Sequence, residues 1–182
     1  ASATIDVDKD IQAPEVTISG NDILTCNLLS ITLNANNDIL TGGKIVEQYH
    51  WSTGSSQSSI EVTTPNTYNV KLTYSNGCTA STSIETKQNI KKPDINPITG
   101  TLLLCEGEET TLTNLNAGGV WSIESMTPGT VASINATTGQ LTTEIGGSVI
   151  VGYTITGANG CISSITAEVE IETKPIPAVP ND

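Results

Sequence analysis

Four cysteines, Cys26, Cys78, Cys105 and Cys161, are the residues of this chain with the most chemistry open to them. Two of them follow nearly the same string, since residues 75 to 78 read SNGC and residues 158 to 161 read ANGC. Paired thiols form disulfides, and clustered ones hold metals. A tetrahedral zinc site usually presents cysteines two to four residues apart, and no two here are that close. Disulfides are therefore favoured over a metal site or buried free thiols, and they imply an oxidising, extracellular setting. Four cysteines allow three pairings, among which sequence alone does not choose.

Other candidate groups point away from catalysis. Histidine occurs once, as His50 beside Trp51, on the opposite strand face by alternation, which suits a surface residue. The chain has no G-x-S-x-G elbow and no second histidine for a catalytic triad, so no enzyme activity is expected. Carboxylates cluster as DVDKD at 6 to 10 and EGEE at 106 to 109, both at module edges, where paired acid catalysis has no evident cleft. Calcium is the one cofactor such oxygens suit, with Asp6, Asp8, Asp10 and Asp94 near module junctions, although EF-hand spacing is absent. Asn135 opens an N-A-T glycosylation pattern. Phosphate-binding glycine loops are missing, so no nucleotide cofactor is expected.

The elements that position the cysteines are legible as strands. Tyr68, Val70, Leu72 and Tyr74 alternate on one face, SNG turns the chain, and Cys78, Ala80, Thr82 and Ile84 alternate on the next strand. Val149, Val151, Tyr153 and Ile155 do the same before GANG, with Cys161, Ser163, Ile165, Ala167, Val169 and Ile171 after it. Glycine supplies the positive φ of such hairpin turns, so Cys78 and Cys161 each open a final strand. Cys26 and Cys105 each precede an early apolar strand, LLSITLNA and TTLTNL respectively.

These units repeat. The strings IDVDKDIQAP, IETKQNIKKP and IETKPIPAVP align at residues 5 to 14, 84 to 93 and 171 to 180. The expected organisation is a tail strand of a preceding module at 1–12, module one at 13–92, module two at 93–174 and a proline-rich linker at 175–182. On this reading the chain comes from a longer array, its first residue is a cut, and any signal peptide lies upstream. The repeat favours one bridge per module, Cys26 to Cys78 and Cys105 to Cys161. Strands running up and down in order would bring Cys26 and Cys78 to one end. Module two is less regular, because VASIN and QLTTE read as one bent strand or two, and two would separate its cysteines. Each bridge, closing about fifty residues, would contribute ~4 kcal/mol on the chain-entropy estimate.

Composition bounds the partners. The chain has 182 residues, 19 Asp+Glu against 7 Lys+Arg, and a formal net charge of −12. Such a surface repels phosphate, which argues against nucleic acid. Apolar runs fall far short of the ~20 residues of a membrane helix, so no membrane insertion is expected. Phe is absent and aromatics make up 3%, while Thr, Ser, Asn, Gly, Ile and Val dominate, a mixture suited to strands and turns. Trp51 and Trp121 each lie between the cysteines of their module, as the core tryptophan of an immunoglobulin domain does, and with Tyr68 and Tyr153 they are expected in the core. The expected fold is all-β, two tandem immunoglobulin-like β-sandwich modules.

The string CNLLSITLNA, followed by YHWSTGSSQSSIEVTTPNTYNVKLTYSNGCTAS, resembles the immunoglobulin-like tandem repeats of very large Bacteroidetes cell-surface adhesins. Cys26, Trp51, Gly54, Tyr68, Gly77 and Cys78 carry the resemblance in module one. Module two looks like a sister repeat through Cys105, Trp121, Gly160 and Cys161. Module one departs from the pattern at Leu28, where module two keeps Gly107. The resemblance implies a cell-surface location, export by type IX secretion, neighbouring repeats as partners, an external surface or polysaccharide as ligand, and a role in adhesion and gliding motility. Similar modules also occur in secreted polysaccharide-degrading enzymes, where they bind carbohydrate or act as spacers.

Overall fold

The computed structural model describes residues 15–37 and 45–175. The expected tail strand at 1–12, the acids Asp6, Asp8 and Asp10, and the linker beyond Pro175 lie outside the described residues. The chain divides into two compact units, Ala1–Ile90 and Lys91–Asp182. The described residues form strands, turns and irregular loops, with no helix among them.

Module one contains β1 (Val16–Ser19), β2 (Ile23–Thr25), β3 (Ile31–Asn37), β4 (Val46–Trp51), β5 (Ser59–Val62), β6 (Thr67–Tyr74), β7 (Thr79–Glu85) and β8 (Lys87–Asn89). One sheet has the order β1-β3-β5 and the other β4-β6-β7, while β2 lies parallel to β8. Alternation dictates the packing. Along β6 the even-numbered Tyr68, Val70, Leu72 and Tyr74 are buried, and Leu33 and Ile60 close the core from the facing sheet. Fully burying one such leucine or valine contributes about 1.5–3 kcal/mol, so this interdigitated layer dominates the stability of the module. Two antiparallel sheets, linked across and edged by a short strand parallel to the last one, form an immunoglobulin-like sandwich.

A corner between β5 and β6 supports that assignment independently. Tyr68 is buried, and its hydroxyl donates to the Thr64 carbonyl at 2.9 Å. This is the tyrosine corner of immunoglobulin-type folds, a backbone acceptor a few residues upstream. Thr86 braces the same corner, its hydroxyl donating to the Asn66 carbonyl at 3.1 Å and accepting from the Asn66 amide at 3.0 Å.

Tyr74, at the end of β6, is only 1% exposed, and its hydroxyl has no hydrogen-bond partner among the described residues. Burial, with the charge of Tyr49 second, raises its pKa above the ordinary 10.0. The unfolded chain therefore releases this proton first, so its contribution is intact below about pH 10 and is lost as pH rises through the higher folded value. Tyr74→Phe removes an unsatisfied buried hydroxyl, and urea unfolding should show it equal to the parent, or up to about 1 kcal/mol more stable, at pH 7. Repeating the titration above pH 10 should widen that gap; a clear loss at pH 7 would mean that the hydroxyl is satisfied in solution.

Module two contains β9 (Leu103–Cys105), β10 (Glu109–Thr111), β11 (Val120–Met126), β12 (Val131–Ile134), β13 (Gln140–Ile145), β14 (Gly147–Thr156) and β15 (Ile162–Glu172). Its sheets have the orders β10-β13-β12 and β11-β14-β15-β9, with β9 parallel to β15. VASIN and QLTTE form two strands, β12 and β13, joined by a turn. Leu112, Trp121, Leu141, Val149, Val151 and Val169 fill the core. The β14–β15 hairpin is regular over its whole length, from Gly147 opposite Ile171 to Thr156 opposite Ile162.

Candidate functional sites

The two NGC turns are built alike, which explains the repeated string. In module one the Gly77 amide donates to the Tyr74 carbonyl, the Tyr74 amide to the Cys78 carbonyl, and the Cys78 amide to Asn76 Oδ1 at 3.0 Å. In module two the Gly160 amide donates to the Gly157 carbonyl, the Gly157 amide to the Cys161 carbonyl, and the Cys161 amide to Asn159 Oδ1 at 3.1 Å. Asparagine ties down the cysteine backbone and glycine takes the left-handed position, so the thiol always starts the last strand.

The other two cysteines share a second setting. Cys26 directly follows β2, whose Thr25 pairs with Asn89 of β8, and Cys105 ends β9, opposite Glu172 of β15. Both short strands run parallel to the last strand of their module. Eleven residues of extended chain therefore separate the levels of the two cysteines, from Cys78 to Asn89 and from Cys161 to Glu172. At about 3.3 Å per residue this is roughly 35 Å, against the 4.4–6.8 Å usual between bridged Cα atoms.

The expected pairings Cys26 to Cys78 and Cys105 to Cys161 are accordingly not formed. Cys78, half-buried, and Cys105, exposed, are free thiols. Cys26 and Cys161 are disulfide-bonded. The expectation failed because it assumed strands simply reversing in sequence order. In fact β5 runs antiparallel to β3, and β7 leads away from its cysteine toward the end where Cys26 lies.

Trp51 is fully buried, and its indole nitrogen donates to the Gln57 carbonyl at 2.8 Å. Trp121 is 5% exposed and packs against Tyr153 with ring centroids 4.5 Å apart. Tyr153 occupies a different place from Tyr68. It stands opposite Trp121 in register, where module one has Val70 opposite Trp51, and its hydroxyl donates to the Asn116 carbonyl while accepting from the Gly119 amide. Beside this pair an open hollow of about 450 Å³ is lined by Asn114, Asn116, Thr137, Thr138 and Trp121.

The acids have structural partners. Glu108 Oε2 accepts from the Cys105 amide at 2.9 Å, Glu106 Oε2 from the Lys174 amide at 3.3 Å, and Glu109 Oε2 from Gln140 Nε2 at 3.0 Å. EGEE is thus a turn whose carboxylates satisfy backbone and amide donors. Asp94 lies 3.7 Å from Lys91 Nζ, both well exposed, a pair worth little in water. Among the described residues no group of three or more His, Cys, Asp or Glu side chains is placed to hold a metal. His50 is exposed on β4 and stands opposite Lys71, in an open groove with Glu47, Gln48, Tyr49 and Thr73. Asn135 is exposed, and its Oδ1 accepts from the Thr137 and Thr138 amides in the turn between β12 and β13.

No protein-family model matches the chain, and no curated protein matches it in sequence. Among solved structures it is similar to murine CEACAM1b, at 12% identity and a TM-score of 0.37, over 88% of this chain and 100% of that one. It is likewise similar to domains 4 and 5 of the S-layer protein SbsC, at 13% identity and a TM-score of 0.37, over 88% and 100%. The protocadherin GammaB4 extracellular domain matches at 14% identity and a TM-score of 0.39, over 92% of this chain and 35% of that one. The fold class rests on the strand pairing within each module, which defines an all-β chain of immunoglobulin-like sandwiches.

Proposed function

We propose that the chain is a non-catalytic repeat segment of a large bacterial cell-surface adhesin, forming part of an extended, disulfide-containing stalk and contributing to surface attachment. The observation that supports this best is the repetition of one sandwich with the same NGC turn, the same short parallel edge strand and cysteines at the same two settings. Disulfide bonding at Cys26 and Cys161 fits an extracellular protein. The motif resemblance to Bacteroidetes adhesins, of which the gliding adhesin SprB is a member, supports the finer reading of gliding motility and type IX export.

Retention of the purified chain on polysaccharide gels and on bare glass, with and without calcium, before and after reduction, tests the adhesive part. Saturable retention supports it, and loss on chelation would show that calcium shapes the site. Absence of retention in every condition would leave these modules as spacers.

An accessory carbohydrate-binding region of a secreted polysaccharide-degrading enzyme is the second reading. Sugar binding of that kind uses an exposed aromatic platform, yet both tryptophans and Tyr68, Tyr74 and Tyr153 are buried, and Tyr49 is half-buried. The hollow beside Trp121, where asparagine and threonine side chains border an aromatic pair, is what favours it. Soluble oligosaccharide binding that shifts Trp121 fluorescence would support this reading over the stalk.

A further inference from the structure

We propose that Cys78 and Cys105 are disulfide half-sites for other modules, so that oxidation links copies of this chain through a bond between Cys78 of one copy and Cys105 of the next. This rests on the repeat-array reading above, but not on any adhesive activity.

Each module carries one cysteine of each setting, a turn cysteine just before β7 or β15 and a cysteine at the end of the short parallel strand β2 or β9. The geometry derived above puts these about 35 Å apart along the strand direction, so neither can be the other's partner within a module. The settings are nevertheless bonding positions. Cys161, the turn cysteine of module two, is disulfide-bonded, and so is Cys26, the edge-strand cysteine of module one. Cys78 and Cys105 are their counterparts in the sister modules, in the same turn and on the same parallel strand, and both are free. What differs between the bonded and the free positions is therefore the partner, not the local structure.

Because the two settings lie at opposite ends of a module, a bond between unlike settings joins one end of a module to the opposite end of another. Such a contact is heterologous, so each linked copy still offers one unused half-site at either end and the assembly grows beyond a dimer. Exposure of Cys105 makes it the attacking group. Its thiolate displaces glutathione from oxidised glutathione, giving a mixed disulfide. The Cys78 thiolate of a second copy then attacks the protein sulfur and releases the second glutathione. Two protein thiols are oxidised, and one glutathione disulfide is reduced to two thiols.

The test uses the purified chain in an oxidised-glutathione buffer, followed on non-reducing gels and by peptide mapping. A ladder in multiples of 18.9 kDa that dithiothreitol collapses is expected, with linked peptides containing Cys78 and Cys105. Cys78→Ser and Cys105→Ser should each remain monomeric, and mixing the two variants should restore a dimer only. Three results would overturn the proposal: a monomer that keeps two titratable thiols, a monomer that loses both, or single variants that still dimerise through like thiols. Peptide mapping of the parent chain decides the linkage even if a serine variant folds poorly.

Discussion

Trp51→Ala is expected to lower the stability of module one by about 3–5 kcal/mol, the range for removing a large aromatic from a packed core. Small domains have roughly 5–15 kcal/mol in total, so the module would be close to unfolding at room temperature. The side chain is fully buried between the sheets among Leu33, Val70 and Leu72, and a cavity there has no solvent to fill it. The loss also leaves the Gln57 carbonyl without the indole donor that holds the loop between β4 and β5. Trp51→Phe keeps most of the packing but loses the hydrogen bond and part of the ring volume, so its difference from the alanine variant reports the packing that the phenyl ring retains. It should cost roughly half as much or less. Urea unfolding followed by circular dichroism measures the total, while the fluorescence of Trp121 reports module two alone in both variants. A loss under about 1 kcal/mol for the alanine variant would mean that Trp51 does not organise the core.

Gly139→Ala is expected to lower the stability of module two by about 3 kcal/mol. Gly139 sits at φ +73, where an L-residue costs roughly 1–2 kcal/mol. An added Cβ would also lie 2.5 Å from the Leu112 carbonyl oxygen and 2.8 Å from Trp121 Cε2, so the backbone or the core tryptophan must shift. Gly77→Ala is the matched control. Its φ is +78, but nothing lies within 4 Å of the new methyl, so only the conformational part remains. Thermal unfolding of the two variants measures the difference. Equal losses would show that close approach to Trp121 contributes nothing.

Much of this was readable from residue order, for identifiable reasons. Alternation along the eight residues of β6, and at Val149, Val151, Tyr153 and Ile155 of β14, fixes which side chains face the core, because one strand has only two faces. The Asn-Gly pairs fix the hairpins, since the turn itself demands those residues. Burial of Trp51, Trp121, Tyr68 and Tyr153 follows from their apolar bulk in small sandwiches. The short edge strands β2, β8 and β9, of three residues each, carry too few positions for any periodicity to show. The tyrosine corner at Tyr68 and Thr64 left a trace in the sequence, a tyrosine just after a Thr-Pro-Asn turn.

Residue order by itself determined the strands, the turns, the repeat and the acidic surface, because strands and turns depend on near neighbours, the repeat on matching strings and the charge on composition alone. The fate of the thiols was decided only by the tertiary structure. Whether Cys26 meets Cys78 depends on the direction of strands paired across tens of residues, and local pattern is blind to direction. Parallel pairing of β2 with β8 and of β9 with β15 set the two cysteines of each module at opposite ends. That same geometry turns the thiols from internal staples into the ends by which one module can hold another.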